Sequence, residues 1–266
     1  MSWSTVHVDA RAEVCGVLGR GAPVVFVPGY GLTPWIYRHA LAGLARTVRV
    51  FAPAIPAFAA VPGKSLDERT VAEGAAWLGR FLDAAGLGSV TLVGHSFGGA
   101  LAIRAAAVLP DRVARLVLVN PVDGGPWPDV GGAVTPLGDG SPRERGTALE
   151  EALVRRMLAS VDTPRRTVTT DGDPAPELRT DSIPRGLDLD ESLDRLAQQR
   201  LPAALVWSHD DQLVPRASVE SLRACLGGTS VFTVAGGHGW PIADPECFGH
   251  TMQTVLDRLP LEVVVS

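Results

Sequence analysis

The residues with the clearest chemical potential lie in the stretch GHSFGG, residues 94–99, where one serine stands between small residues. An apolar run typical of a strand ends at Gly94, and a helix-like run begins at Phe97. A strand-to-helix turn this tight would lift the hydroxyl of Ser96 above the end of the strand and aim the N–H of Phe97 at the same space. We therefore predict that Ser96 is a nucleophile; the alternative is a serine in an ordinary glycine-rich loop.

A serine hydroxyl needs a base to accept its proton, and His238 is the best candidate among the six histidines. It lies in VAGGHGWPIADP (234–245), where a predicted strand gives way to a flexible loop before a helix. A base in that loop could reach over the edge of a sheet. His95 is adjacent to Ser96, but its side chain should point away from the hydroxyl, so we expect a structural role for it.

A histidine base in turn needs a carboxylate that holds its tautomer and stabilises the imidazolium. The stretch WSHDDQLVP (207–215) offers two acids just after a predicted strand, Asp210 and Asp211. Asp123, in NPVDGG, follows another predicted strand and is a third possibility. With either acid of the first pair, the chain order is Ser, Asp, His.

The elements that must position these side chains alternate between strand and helix patterns. Continuous apolar runs such as PVVFV (23–27), VTLVG (90–94) and VARLVLV (113–119) alternate with helical patterns such as residues 67–85. Unbroken apolar strands are typical of a parallel sheet buried on both faces. The prediction is an α/β fold with a mostly parallel central sheet and helices on both faces; residues 12–19 could add an antiparallel edge strand.

Residues 121–200 differ in composition from the rest of the chain. Their ten arginines and fifteen acidic residues account for the whole net charge of −5, and the segment is rich in Pro and Gly. Long insertions in compact domains are often functional. We predict a core formed by residues 1–120 and 201–266, with residues 121–200 inserted as a cap; a solvated loop is the alternative.

Composition limits the class of protein and its partners. The net charge is −5 with no basic block, so nucleic acid is a poor candidate partner. No apolar run is long enough for a membrane span, and the N-terminal residues do not have the pattern of a signal peptide. Three widely spaced cysteines predict neither a disulfide framework nor a metal site. These features together favour a cytoplasmic location; they do not indicate an oligomeric state.

From about Pro23 to about Leu259 the chain resembles the α/β-hydrolase fold superfamily, in the form that carries a cap. Four stretches in the expected order carry the resemblance: PGYG (28–31), GHSFGG (94–99), HDDQLVP (209–215) and GGHGWP (236–241). The likeness is weakest over residues 121–200. Pro28-Gly29 also departs from the His-Gly pair of many relatives.

The resemblance implies roles for individual residues. It assigns the nucleophile to Ser96, the base to His238 and the acid to Asp211. It also implies that the backbone N–H groups of Tyr30 and Phe97 form the oxyanion hole. The resemblance implies no metal and no cofactor.

The expected activity is that of a serine hydrolase, which cleaves an ester, lactone or thioester of a small, apolar substrate through an acyl-enzyme on Ser96. Trp35, Trp127 and Trp240 are candidate substrate-binding residues, with simple packing as the alternative for each. Three other functions remain open: that of a carbon–carbon bond hydrolase, that of a lyase or cyclase using the same pocket, and that of a non-catalytic protein that binds small ligands. Tight binding without turnover would identify the last of these.

Overall fold

The computed structural model describes residues 2–30, 32–58, 68–122, 187–211 and 213–259. Within these ranges eight strands form one sheet. The strands are β1 (Ser2–Val8), β2 (Arg11–Gly19), β3 (Pro23–Val27), β4 (Arg49–Pro53), β5 (Val90–His95), β6 (Val113–Val119), β7 (Ala203–Ser208) and β8 (Ser230–Val234). The helices are α1 (Arg38–Leu44), α2 (Glu68–Ala84), α3 (Phe97–Val108), α4 (Asp190–Gln199), α5 (Arg216–Cys225), α6 (Trp240–Ala243) and α7 (Pro245–Arg258), with a short 3₁₀ turn at Pro56–Phe58.

The sheet confirms the predicted fold class. Its strand order is β1-β2-β4-β3-β5-β6-β7-β8. The six strands from β4 to β8 in this order are parallel to one another, whereas β2 is antiparallel to both β1 and β4. The expectation of an edge strand at residues 12–19 was wrong in one respect, because β1 lies outside β2 and takes the edge position.

Helices cover both faces of the sheet, and each face has its own apolar cluster. Successive residues of a strand point to opposite faces, so Val25 of β3 packs in the cluster beneath α2 and α3, while the neighbouring Phe26 packs beneath α1 and α7. Strand β5 is buried along its whole length. The end of β5 that leads into Ser96 is therefore held by packing on both sides.

The predicted cap is only partly within the described residues. Residues 123–186 lie outside them, so the boundaries 121–200 stay a prediction. The last part of the predicted cap that is described forms α4, whose Leu193 and Leu196 are buried in the same apolar cluster as α3. Arg104 of α3 also donates a hydrogen bond to Ser192 of α4, with an N–O distance of 3.1 Å.

Candidate active site

Ser96 occupies the turn between β5 and α3 in a conformation that non-glycine residues rarely adopt. Its φ is 56° and its ψ is −128°, a backbone geometry that costs about 1–3 kcal/mol. Backbone hydrogen bonds hold the turn: Ser96 donates to the carbonyl of Val119, and its own carbonyl accepts from Gly99 and Val122. The strained geometry thus belongs to a turn fixed by β6 and by the first turn of α3.

Two glycines make this turn possible by removing side-chain volume. A Cβ on Gly94 would collide with the carbonyl of Gly98, and a Cβ on Gly98 would collide with the carbonyls of Val27 and Pro28. The first turn of α3 therefore rests directly on the end of β3. Gly29 also faces the turn but is less crowded, since a Cβ there would lie 3.4 Å from the Cβ of Ser96, an ordinary van der Waals contact.

His238 lies in the loop after β8, and its ring contacts Ser96 in the turn between β5 and α3. Its Nε2 is 2.7 Å from Oγ of Ser96, and its Nδ1 is 2.9 Å from Oδ2 of Asp211. An ionised carboxylate only accepts hydrogen bonds, so Nδ1 carries the proton and Nε2 presents its lone pair to the serine hydroxyl. The structure brings together all three side chains that the sequence pointed to.

Asp211 is held in place by more than its contact with the histidine. Its Oδ1 accepts hydrogen bonds from the N–H groups of Leu213 and Val214, at 2.8 and 2.9 Å, and its side chain is fully buried. Asp210 is exposed, and its carboxylate contacts Nδ1 of His209 at 2.8 Å. Asp123, the third candidate, lies outside the described residues.

The loop that carries His238 has further supports that the sequence did not indicate. Ser208 donates a hydrogen bond to the carbonyl of Gly237 at 3.0 Å, and its hydroxyl accepts one from Asn120 at 2.6 Å. Both polar side chains are buried at the ends of neighbouring strands. They could have been singled out as polar residues that terminate apolar strands, but nothing in the sequence shows which groups they meet.

The ring of His95 is hydrogen-bonded at both of its nitrogens to groups other than Ser96. Nδ1 of His95 is 2.8 Å from the hydroxyl of Tyr37, and Nε2 is 3.0 Å from the carbonyl oxygen of His238. The N–H of Gly29 donates to the same Tyr37 hydroxyl at 3.3 Å. Desolvation by burial, reinforced by the nearby imidazole of His238, lowers the pKa of His95 from 6.5 to about 3.

The residues predicted for the oxyanion hole lie close to Ser96. Phe97 is the first residue of α3, and the half-buried ring of Tyr30 meets the ring of Phe97 edge to face, with centroids 6.1 Å apart. An oxygen near the N-terminus of α3 would experience the positive end of the helix dipole.

The three tryptophans proposed for substrate binding are placed differently from one another. The indole of Trp35 is 41% exposed, packs against Trp3 with ring centroids 5.8 Å apart, and lies 4.8 Å from the guanidinium carbon of Arg38. Trp240 is buried against Phe248 in the apolar cluster under α1 and α7. These contacts favour the packing interpretation for both. Trp127 lies outside the described residues.

Within the described ranges, no group of three or more His, Cys, Asp or Glu side chains could hold a metal ion. None of the described helices combines the length and apolar character needed to cross a bilayer.

Comparison with known proteins identifies relatives over most of the chain. The model of a family described as "Alpha/beta hydrolase family" matches residues 24–246. The polyketide synthase ThaQ of Burkholderia thailandensis is 30% identical over 94% of this chain, which spans 12% of that protein. The acetyltransferase component of the acetoin-cleaving system of Cupriavidus necator is 30% identical over 82% of the chain. A 2-hydroxy-6-oxo-2,4-heptadienoate hydrolase of Pseudomonas putida is 41% identical over 40% of the chain.

The chain covers less than two thirds of the length of each of these three relatives, at 12%, 59% and 39%. Solved structures match the fold more completely. A serine hydrolase of Cycloclasticus zankles has a TM-score of 0.71 at 16% identity, covering 96% of this chain and 98% of that one. The meta-cleavage product hydrolase of Pseudomonas fluorescens has a TM-score of 0.64 at 20% identity, covering 96% and 97%. At such identities these matches show the fold alone.

Proposed function

The chain belongs to the alpha/beta hydrolase family, and on that premise we propose that it is a serine hydrolase acting on an ester-type bond of a small, apolar substrate through an acyl-enzyme on Ser96. One observation carries the proposal. Oγ of Ser96 lies 2.7 Å from Nε2 of His238, whose Nδ1 lies 2.9 Å from a buried carboxylate. Nucleophile, base and orienting acid thus form one continuous line of hydrogen bonds.

In the first half-reaction Oγ of Ser96 attacks the substrate carbonyl carbon while its proton passes to Nε2 of His238. The developing oxyanion is stabilised by the N–H groups of Tyr30 and Phe97, and each such donor typically contributes about 3–4 kcal/mol in related chemistry. The tetrahedral intermediate then collapses. The bond to the leaving group breaks, and His238 gives its proton to the departing oxygen or sulfur.

In the second half-reaction water attacks the acyl-enzyme and His238 accepts a proton from it. The carbon–oxygen bond to Ser96 breaks, the proton returns to Oγ, and a carboxylic acid leaves. Asp211 stays ionised throughout and stabilises the imidazolium of His238. These two half-reactions use water and the chain's own groups.

The strongest alternative is hydrolysis of a carbon–carbon bond beside a ketone. The similarity to the 2-hydroxy-6-oxo-2,4-heptadienoate hydrolase of Pseudomonas putida, 41% over 108 residues, favours it. The same serine and histidine could serve both chemistries, because each begins at a substrate carbonyl. The leaving group, carbanion or alkoxide, distinguishes them.

Substrate range is proposed to be set by residues 121–200 acting as a cap. The insertion follows β6, the strand next to β5, and the backbone of Val122 is hydrogen-bonded to the carbonyl of Ser96. The chain therefore enters the insertion beside the nucleophile. Trp127, five residues further on, stays a candidate lining residue.

The proposal is tested with a panel of p-nitrophenyl esters of graded acyl length, run beside a 2-hydroxy-6-oxo-dienoate. We expect wild-type protein to hydrolyse the esters and Ser96→Ala to lose turnover while remaining folded by circular dichroism. Cleavage of the dienoate without ester cleavage would favour the carbon–carbon alternative. A Ser96→Ala variant that keeps most of its esterase activity would refute the proposal.

A further inference from the structure

His95 is a buried titratable side chain that takes no part in the proton transfers described above. It ends strand β5 and is covalently joined to Ser96. Its ring stands between two loops, with the hydroxyl of Tyr37 at 2.8 Å on one side and the backbone carbonyl of His238 at 3.0 Å on the other. The residue preceding the nucleophile is thus hydrogen-bonded to the backbone of the base.

The direction of each hydrogen bond in this chain follows from the chemistry of its ends. The carbonyl of His238 can only accept, so Nε2 of His95 must carry a hydrogen. Burial lowers the pKa of His95 to about 3, so the ring is neutral and Nδ1 has a lone pair. The hydroxyl of Tyr37 therefore donates to Nδ1, and its oxygen is left to accept from the N–H of Gly29.

The surroundings of His95 agree with a neutral ring. The charged or titratable groups that act on it are the imidazole of His238, which disfavours a positive charge, and the carboxylate of Asp211, which favours one. Burial is the largest influence. Tyr37 itself is fully buried, and burial raises the pKa of its phenol above the usual value, so its hydroxyl keeps the proton it donates.

We propose that Tyr37 and His95 are positioning residues that tie the oxyanion loop at Gly29–Tyr30 to the base loop at Gly237–His238, across the nucleophile. This inference rests on the proposed function of the site. The tie is one-directional, running from the N–H of Gly29 through Tyr37 to Nδ1 of His95, and from Nε2 of His95 to the carbonyl of His238. It fixes His95 in a single tautomer.

The tie differs from the other support of the base loop. Ser208 holds the carbonyl of Gly237 from strand β7, which orients the loop but does not connect it to β5. His95, which precedes Ser96 in the chain, instead connects the carbonyl of His238 to the end of β5. A shift of one loop relative to the other would therefore stretch the hydrogen bonds of His95.

The tautomer of His95 can be measured without any substrate. In ¹⁵N-labelled protein we expect Nε2 of His95 to be protonated and Nδ1 to be unprotonated and hydrogen-bonded at neutral pH. In Tyr37→Phe the ¹⁵N chemical shift of Nδ1 should move toward the value of an unprotonated nitrogen that accepts no hydrogen bond. The variant His250→Gln, at an exposed position on α7, should leave this shift unchanged. A proton found on Nδ1 of wild-type His95 would overturn the proposal.

Two amide substitutions at His95 distinguish its hydrogen bond to His238 from its hydrogen bond to Tyr37. The amide of His95→Gln reaches about as far as Nε2 and can still donate to the carbonyl of His238, whereas the amide of His95→Asn reaches only as far as Nδ1. We expect kcat for a p-nitrophenyl ester to be about tenfold lower in His95→Asn than in His95→Gln, with similar KM. Tyr37→Phe should also lower kcat by about tenfold, because the N–H of Gly29 loses its acceptor.

A residue with only a packing role would give a different pattern. Both amide variants would then lose stability without a difference in kcat between the folded proteins, and equal kcat values would refute the positioning role. Failure of the proposed function has its own signature: wild-type protein would hydrolyse no ester, while the tautomer of His95 would still be decided by the NMR measurement.

Discussion

Nε2 of His238 lies 2.7 Å from Oγ of Ser96, although 142 positions separate the two residues in the chain. Ser96 is placed by the turn from β5 into α3, and His238 by the loop that follows β8. Strands β6 and β7 lie between β5 and β8 in the sheet, so the loop must reach across two strand ends. The carboxylate of Asp211, which follows β7, lies on that path.

The identity of the acid gives the first prediction. Asp211→Asn should lower kcat by several orders of magnitude, because an amide can donate to Nδ1 and so stabilise the wrong tautomer of His238; the equivalent change in a well-studied triad cost about 10⁴. Asp210→Asn is the matched control and should cost less than about tenfold, since its exposed carboxylate contacts His209 instead. Steady-state kinetics on a p-nitrophenyl ester decide it. A nearly normal Asp211→Asn beside an inactive Asp210→Asn would reverse the assignment.

Close packing of the turn between β5 and α3 gives the second prediction. Gly98→Ala should reduce both stability and activity, because the added methyl group would collide with the carbonyls of Val27 and Pro28 and push α3 away from β3. We expect a loss of about 1–3 kcal/mol in the free energy of unfolding. Gly88→Ala, where an added Cβ meets nothing within 4 Å, should be close to neutral. Urea unfolding of both variants makes the comparison, and equal stabilities would contradict the packing argument.

Burial of His95 gives a pH dependence of stability. The pKa of His95 is lowered to about 3 in the folded protein, whereas an unfolded chain binds this proton below about pH 6.5. Acid therefore favours the unfolded state. The contribution is fully present above about pH 6.5 and is lost as the pH falls toward 3, at up to about 1.4 kcal/mol per pH unit.

His95→Gln removes this titrating group but keeps the carboxylates that also respond to acid. The difference between the two proteins therefore reports the contribution of His95 alone. Free energies of unfolding measured in urea between about pH 7 and pH 4 should fall more steeply for wild-type protein than for the variant. Parallel curves for the two proteins would mean that His95 is protonated in the folded state.

The local features of the site were the ones that the sequence could predict. The stretch GHSFGG indicates a tight strand-to-helix turn because its geometry depends on the volumes of neighbouring residues. The parallel sheet was predictable as well, since strands buried on both faces are continuously apolar. The alternating and partly polar β1, SWSTVHV, lacks that signature and was not predicted.

Contacts between distant parts of the chain were harder to foresee. Tyr37 and His95 are 58 positions apart, and each occurs in a segment that the pattern explains by burial alone. Trp240, two residues after His238, was one of the candidate substrate-binding residues, yet it packs on Phe248 in the core. Proximity in sequence to a reactive residue does not show which way a side chain turns at the start of a helix.

The central claim, covalent catalysis at Ser96, is tested most directly by titrating the protein with a fluorophosphonate and measuring intact mass, peptide mass and residual esterase activity on the same samples. The account predicts one phosphonyl adduct per chain, located on the peptide that contains Ser96, with activity falling in proportion and reaching zero at full occupancy. Ser96→Ala should take up no adduct. Full labelling of Ser96 with undiminished turnover, or turnover lost through an adduct on a different residue, would contradict it.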